Sequence, residues 1–193
     1  MPESTMNSVA ECGRLKIIKW LHLNRSEGCS WAAMNNAAKN GHLDVVKFLY
    51  KNRTEGCLRS AMDAAAKNGH LDVIQWLHKK RTIGCTKNAM INAAKYGHLE
   101  IVQFLHYNRQ SRCTNYTVNC AARNGQLEVI RFLHDNRMNG FTEEAMDNAA
   151  ENGHLEVVKF LHHNRLEGCT HQSRNPVKIN TQYCSSVSKS SQD

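Results

Sequence analysis

No run of about 18 apolar residues occurs in the 193-residue chain, so no segment has the length and character to cross a bilayer as a helix. The opening Met1-Pro2-Glu3-Ser4-Thr5-Met6 has no apolar stretch behind a basic cluster, which argues against a secretory leader. The expectation is a soluble protein of the cytoplasm, the nucleus being the other compartment left open. There is no Cys-x-x-Cys pair, no Gly-rich phosphate loop, no nucleophile elbow and no paired-carboxylate motif. These absences point away from zinc, nucleotide and hydrolytic chemistry, toward a chain that is not an enzyme and holds no cofactor or metal. Aromatic residues are only 7% of the total, so the core must be built largely from Ala, Leu, Val and Ile. The two-residue alternation of a half-buried strand is missing as well.

What is present is a period. Gly13, Gly41, Gly69, Gly97, Gly125 and Gly153 stand 28 residues apart with no insertion or deletion. The text around each glycine repeats, as in Ala37-Ala38-Lys39-Asn40-Gly41-His42-Leu43-Asp44-Val45-Val46. A fixed period of roughly 20–50 residues marks a stacked array whose units cannot bury their apolar faces alone.

One unit reads as two helices. Ala89, Met90, Ala93 and Ala94 lie at i, i+1, i+4 and i+5, a single stripe of a short first helix. Thr86 precedes it as an N-cap, a position held elsewhere by Ser30, Thr114, Thr142 and Thr170, with Leu58 as the exception. Gly97 permits a tight turn of positive φ. The second helix places Leu43, Val45, Val46, Phe48 and Leu49 around most of its circumference, leaving a narrow polar arc of Asp44, Lys47 and Lys51. That is the pattern of a helix wedged between neighbours. Gly28, Gly56, Gly84, Gly140 and Gly168 break the connector, where Arg112 departs from the rule. The fold class is therefore all-α, a solenoid of stacked helix-turn-helix units.

The period also decides how to read the cysteines, histidines and arginines. Cys29, Cys57, Cys85, Cys113 and Cys169 share one slot, filled by Phe141 in the remaining unit. Like positions in stacked helices sit about 8–10 Å apart, too far for disulfides or a shared zinc ion, so the slot asks for an apolar side chain. His22, His78, His106, His134 and His162, with Tyr50, share a slot beside the apolar arc, which suits a half-buried amphipathic ring. The turn histidines, such as His42, are expected to hydrogen-bond across the loop between units. Arg25, Arg53, Arg81, Arg109, Arg137 and Arg165 recur in every unit. They suit either a ladder for phosphates or, the favoured reading, cations at the carbonyl ends of their own helices. The net charge of +8 is spread over the units with acids interleaved, and two of the eight charges fall in residues 171–193. A solvated basic surface explains it.

With these residues laid out, the chain resembles the ankyrin repeats. Their paired alanines, polar pair and Gly-His-Leu-Glu-Ile-Val are met in Ala93-Ala94-Lys95-Tyr96-Gly97-His98-Leu99-Glu100-Ile101-Val102. His42, His70 and His154 repeat the histidine, whereas Arg14 and Gln126 replace it. The recurring Phe-Leu-His-x-Asn-Arg and Glu-Gly-Cys-Thr strings look like the short ankyrin-type arrays of oomycetes and other protists. The resemblance covers residues 4–170 as six units and implies a protein-interaction module whose first helices line a concave face. The unit is shorter than the usual ankyrin length of about 33, and the missing residues correspond to the β-hairpin finger. The Thr-Pro-Leu-His opening of the first helix is also absent, Asn88-Ala89-Met90-Ile91 standing there instead.

Recognition is expected where units differ while the core does not. Along the first helices, positions i, i+4 and i+8 read Trp31, Asn35 and Lys39, then Arg59, Asp63 and Lys67, then Lys87, Ile91 and Lys95. They continue as Asn115, Asn119 and Arg123, and finally Glu143, Asp147 and Glu151, running from aromatic and basic to acidic. The function expected is a non-enzymatic scaffold binding another protein through these residues. The alternative is a nucleic-acid-binding solenoid using the Arg and Lys rows, although only Trp31 and Tyr116 are near the face to stack on bases. In residues 171–193 the pattern decays into a degenerate repeat and a polar tail, with Arg174 and Pro176 against helix continuation. That leaves the apolar flank of the last good pair, 142–166, uncovered, so the array is expected to continue or to pack its end on something.

Overall fold

The computed structural model describes residues 3–24, 30–52, 58–80, 87–109, 114–136 and 140–168. They form α1 Glu3–Glu11, α2 Leu15–Asn24, α3 Trp31–Lys39, α4 Leu43–Asn52, α5 Leu58–Asn68 and α6 Leu71–Lys79. There follow α7 Lys87–Lys95, α8 Leu99–Arg109, α9 Asn115–Arg123, α10 Leu127–Asp135, α11 Glu143–Glu151 and α12 Leu155–Gly168. No strand occurs among the described residues. The chain divides into two compact units, 1–159 and 160–193.

In the first unit the odd-numbered helices α1 to α11 pack side by side in chain order. The even-numbered helices α2 to α10 form a second layer, each against its own hairpin partner and against the even helices on either side. This is the helical solenoid that the period predicts. In the second unit, Asn164 Nδ2 donates to the carbonyl of Phe160 at 2.8 Å, and the His162 and His163 rings meet edge to face at 5.7 Å.

Small residues bring the first helices together. Ala37 and Ala38, Ala65 and Ala66, Ala93 and Ala94, and Ala121 and Ala122 are all fully buried, as are most of the methionines beside them. Ser30 caps α3, its Oγ accepting from the Ala32 N–H at 3.2 Å while Asn7 Nδ2 of the preceding unit donates to it at 2.9 Å. Thr114 and Thr142 occupy the N-cap of α9 and α11. At Leu58, which offers no capping oxygen, α5 starts on the leucine itself. Thr86 and Thr170, the slot of Cys29, Cys57, Cys85, Cys113 and Cys169, and residues 171–193 with Arg174 and Pro176 lie outside the described residues.

The turn after each first helix locks one unit to the next. The His42 and His98 N–H groups donate to the carbonyls of Ala37 and Ala93, both at 2.9 Å, and the Gly97 N–H to Ala94 at 3.4 Å, closing the helix with a left-handed glycine. Across the unit boundary, His42 Nε2 donates to the carbonyl of Glu11 at 3.0 Å, and His70 Nε2 to that of Lys39 at 2.9 Å. His98 does the same to Lys67 at 3.1 Å and His154 to Arg123 at 3.0 Å. The turn histidines thus bridge units as expected. Each ring lies over the glycine of the unit before it. A Cβ added to Gly69, at φ 84°, would come within 2.8 Å of the His98 ring. At Gly97 the neighbour is Gln126, the residue that takes the histidine's place.

The second layer repeats another contact. Val45, Val73, Ile101 and Val129, and Val46, Ile74, Val102 and Ile130, are fully or almost fully buried, while Asp44, Lys47 and Lys51 are exposed. His22 sets its ring edge to face against Phe48 at 5.5 Å, Tyr50 against Trp76 at 5.2 Å, His78 against Phe104 at 5.3 Å and His106 against Phe132 at 5.6 Å. These slots are half-buried, and a ring with a polar edge suits them. The asparagine of the Phe-Leu-His-x-Asn-Arg string also finds its role. Asn24, Asn52, Asn108 and Asn136 donate Nδ2 back to the carbonyls of Trp20, Phe48, Phe104 and Phe132, at 2.8, 2.8, 2.9 and 2.8 Å. Each bond reaches back one helical turn, to a carbonyl near the end of the second helix.

The interlock makes a quantitative expectation. Gly69→Ala costs roughly 2–4 kcal/mol, from forcing a Cβ into the left-handed region and displacing the His98 ring. His98→Ala costs about 1 kcal/mol for the lost bridge. The double variant costs clearly less than the sum, since the ring that the new methyl strikes is gone. Urea unfolding of the three variants beside the parent measures all three terms.

Candidate functional site

The outer face of the first helices is assembled from rows, each contributed by one slot of the repeat. The row at the first position of the stripe holds Trp31, Arg59, Lys87, Asn115 and Glu143, all exposed, Trp31 at 57%. The row at the last holds Lys39, Lys67, Arg123 and Glu151, exposed, with Lys95 half-buried. Neither row is needed for packing, so its chemistry is free to differ between units.

The middle row departs from the expectation of an open stripe. Asn35, Asp63 and Ile91 are half-buried, Asn119 is buried at 6%, and only Asp147, in the last first helix, is exposed. The physical reason is seen at Asn7, in the same slot, whose Nδ2 reaches forward to Ser30 of the next unit. This position leans into the seam between adjacent first helices, so its side chain is partly enclosed by the neighbour. The Oδ1 atoms of Asn7, Asn35 and Asn119 are buried there without a hydrogen-bonding partner in the protein. Asn119 is therefore removed from the exposed stripe, and Ile91 shows that the seam accepts an apolar residue.

Two features of the face lie off the i, i+4, i+8 stripe. Tyr116 is 63% exposed one position along from Asn115. Tyr96 lies between two cations of successive units, with Lys67 Nζ 5.6 Å and Lys95 Nζ 5.3 Å from its ring centroid. Such contacts hold an exposed ring and its flanking charges in a defined arrangement. Tyr96 stands where Asn40, Asn68, Asn124 and Asn152 close their own helices through Nδ2 bonds of 3.0, 3.0, 2.8 and 2.9 Å to the carbonyls four residues back. A departure from a repeated asparagine, shared only with Cys12, was the sign in the sequence that pointed to it.

The side chains of the recurring Arg25, Arg53, Arg81, Arg109, Arg137 and Arg165 lie outside the described residues, so neither reading of that row is decided by geometry. Among the described residues no three His, Cys, Asp or Glu side chains come together in a group able to hold a metal ion. Cys12 and Cys120 have free thiols. No described helix is long and apolar enough to cross a membrane.

Replacing the seam residue tests its placement. Asn119→Ile should raise stability by about 1 kcal/mol, because a buried acceptor without a partner is removed and Ile91 occupies the equivalent seam. Chemical denaturation reads the sign directly, and a loss of stability would mean that the amide is satisfied.

Comparison with curated proteins yields no match. The family description of ankyrin repeats, in three copies, matches residues 6–90 and again residues 90–175. That span, together with the stacked helical hairpins and their turn glycines, establishes that the chain belongs to the ankyrin-repeat family.

Proposed function

We propose that the chain is a non-enzymatic scaffold that binds another protein through the first-helix face. The observation that carries this reading is the contrast between rows. Slots buried in the stack keep one residue type, whereas Trp31, Arg59, Lys87, Asn115 and Glu143, at one exposed slot, differ in every unit. Ankyrin repeats generally serve protein–protein interaction, which sets the class of partner. The finer assignment is to Trp31, Arg59 and Lys87 as the centre of contact, with Lys39, Lys67, Lys95 and Arg123 along one side. The acidic patch of Glu143, Asp147 and Glu151 adds polarity along the face. An exposed indole among guanidinium and ammonium groups has the composition of an interface anchor. A partner running along the face would meet cations first and carboxylates last, which fixes its direction.

The test compares the intact chain with a Trp31→Ala/Arg59→Ala/Lys87→Ala variant as baits, each checked by circular dichroism. A Lys47→Ala/Lys51→Ala variant on the opposite layer is the control. The triple variant should retain at least about tenfold less bound protein, and the control as much as the parent. Captured material that vanishes with nuclease, and falls away along a steep log–log salt dependence, would assign the face to nucleic acid instead. Equal capture by all three baits would overturn the site.

A further inference from the structure

The first hairpin shows a face that every later hairpin keeps covered. Ile17 is 47% exposed, yet Val45, Val73, Ile101 and Val129 in the same slot are between 0% and 1%. Trp20 is 58% exposed, whereas Phe48, Trp76, Phe104 and Phe132 each receive a ring edge from the unit before. Arg14 holds the slot of the bridging histidines and is exposed at this face.

The opposite flank of the first compact unit, on α11 and the start of α12, is open in the complementary sense. Gly153 has nothing within 4 Å of where a Cβ would stand, although Gly13, Gly41, Gly69, Gly97 and Gly125 each lie under the next unit's side chain. Met146, Ala150 and Val158 are half-buried, while their counterparts Met90, Ala94 and Val102 are at most 1% exposed.

We propose that these two faces are one interface, the flank of α11 and the start of α12 in one copy receiving the first hairpin of a second copy. The argument is continuity: the same contact is already made at each internal boundary of the array. Advancing the series His42–Glu11, His70–Lys39, His98–Lys67 and His154–Arg123 by one unit sets Arg14 of the second copy over Gly153. There its guanidinium donates to the carbonyl of Glu151. The donor is changed at this end: arginine replaces histidine, and Glu151, like Glu11 at the first boundary, brings a carboxylate near the cation.

Charge supports the same occupant. The exposed acids Glu143, Glu144, Asp147, Glu151 and Glu156 lie on α11 and the start of α12, with Lys159, whereas the first hairpin carries Arg14, Lys16 and Lys19 against Glu3 and Glu11. Lys16 is telling, because its slot is acidic in all five other units, as Asp44, Asp72, Glu100, Glu128 and Glu156. An interface joining two different faces is heterologous, so association proceeds head to tail.

Sedimentation velocity of the full chain over rising concentration tests this. The parent should show concentration-dependent growth beyond the dimer that weakens with added salt. Trp20→Glu blocks one face and Ala150→Arg the other, with Gly153→Val as a second block of the latter; circular dichroism verifies the fold of each. Each single variant should associate at least about tenfold more weakly than the parent. A mixture of Trp20→Glu with Ala150→Arg should stop at a dimer, because only one open face of each kind remains. A parent that stays monomeric, variants that associate like the parent, or a mixture that grows past the dimer would each overturn the proposal. The first-helix face can fail as a binding site without affecting these results, since none of the blocking substitutions lies on its exposed rows.

Discussion

The structure depends on a steric claim that each unit makes on the one before it. A side chain, usually a histidine ring, lies over a glycine, and the histidine ties its Nε2 to a carbonyl two residues upstream of that glycine. The glycine must be bare for two reasons at once, its positive φ and the ring above it. The histidine, in turn, must be offered at the start of the following helix. Because both demands are placed on residues 29 apart in the chain, they can be met all along the array only if every unit has the same length. The uninterrupted period is a consequence of this contact. The alanine pairs act in the same direction, since their carbonyls accept from the turn and their small side chains let the helices approach.

The even-numbered layer adds a second tie of different chemistry. A half-buried His or Tyr presents its edge to a Phe or Trp of the next unit, contributing about 0.5–1.5 kcal/mol beyond burial. Neither tie is large, but both recur at nearly every boundary, and stability in such arrays accumulates from boundary terms. The histidine bridge lies at the start of each second helix and the ring contact in its later half, so together they resist tilting of one unit against its neighbour.

Much of this was legible in the sequence because repetition separates packing from decoration. The helical hairpins, the turn glycines, the bridging histidines and the amphipathic slot of His22 and Tyr50 all follow from asking what a residue must do to recur. The burial of Asn119 did not follow. Helical periodicity places it on the same stripe as Asn115 and Arg123, but cannot say that the next helix approaches from that side. Amides and carboxylates fill the slot as readily as isoleucine, so composition concealed the seam. Tyr96 was missed for the opposite reason: it departs from an asparagine whose role in closing the helix emerges only from the hydrogen bonds.

The fit of ring over glycine also says something about how such a chain changes over generations. A lone exchange of the glycine leaves a clash with the side chain above it, although that side chain can itself change, as Gln126 over Gly97 shows. Copying or deleting a whole block, by contrast, produces a junction already proven elsewhere in the same molecule. Gene duplication and unequal recombination are thus the cheap moves, and the length of the array can drift while the joint between its members stays as it is.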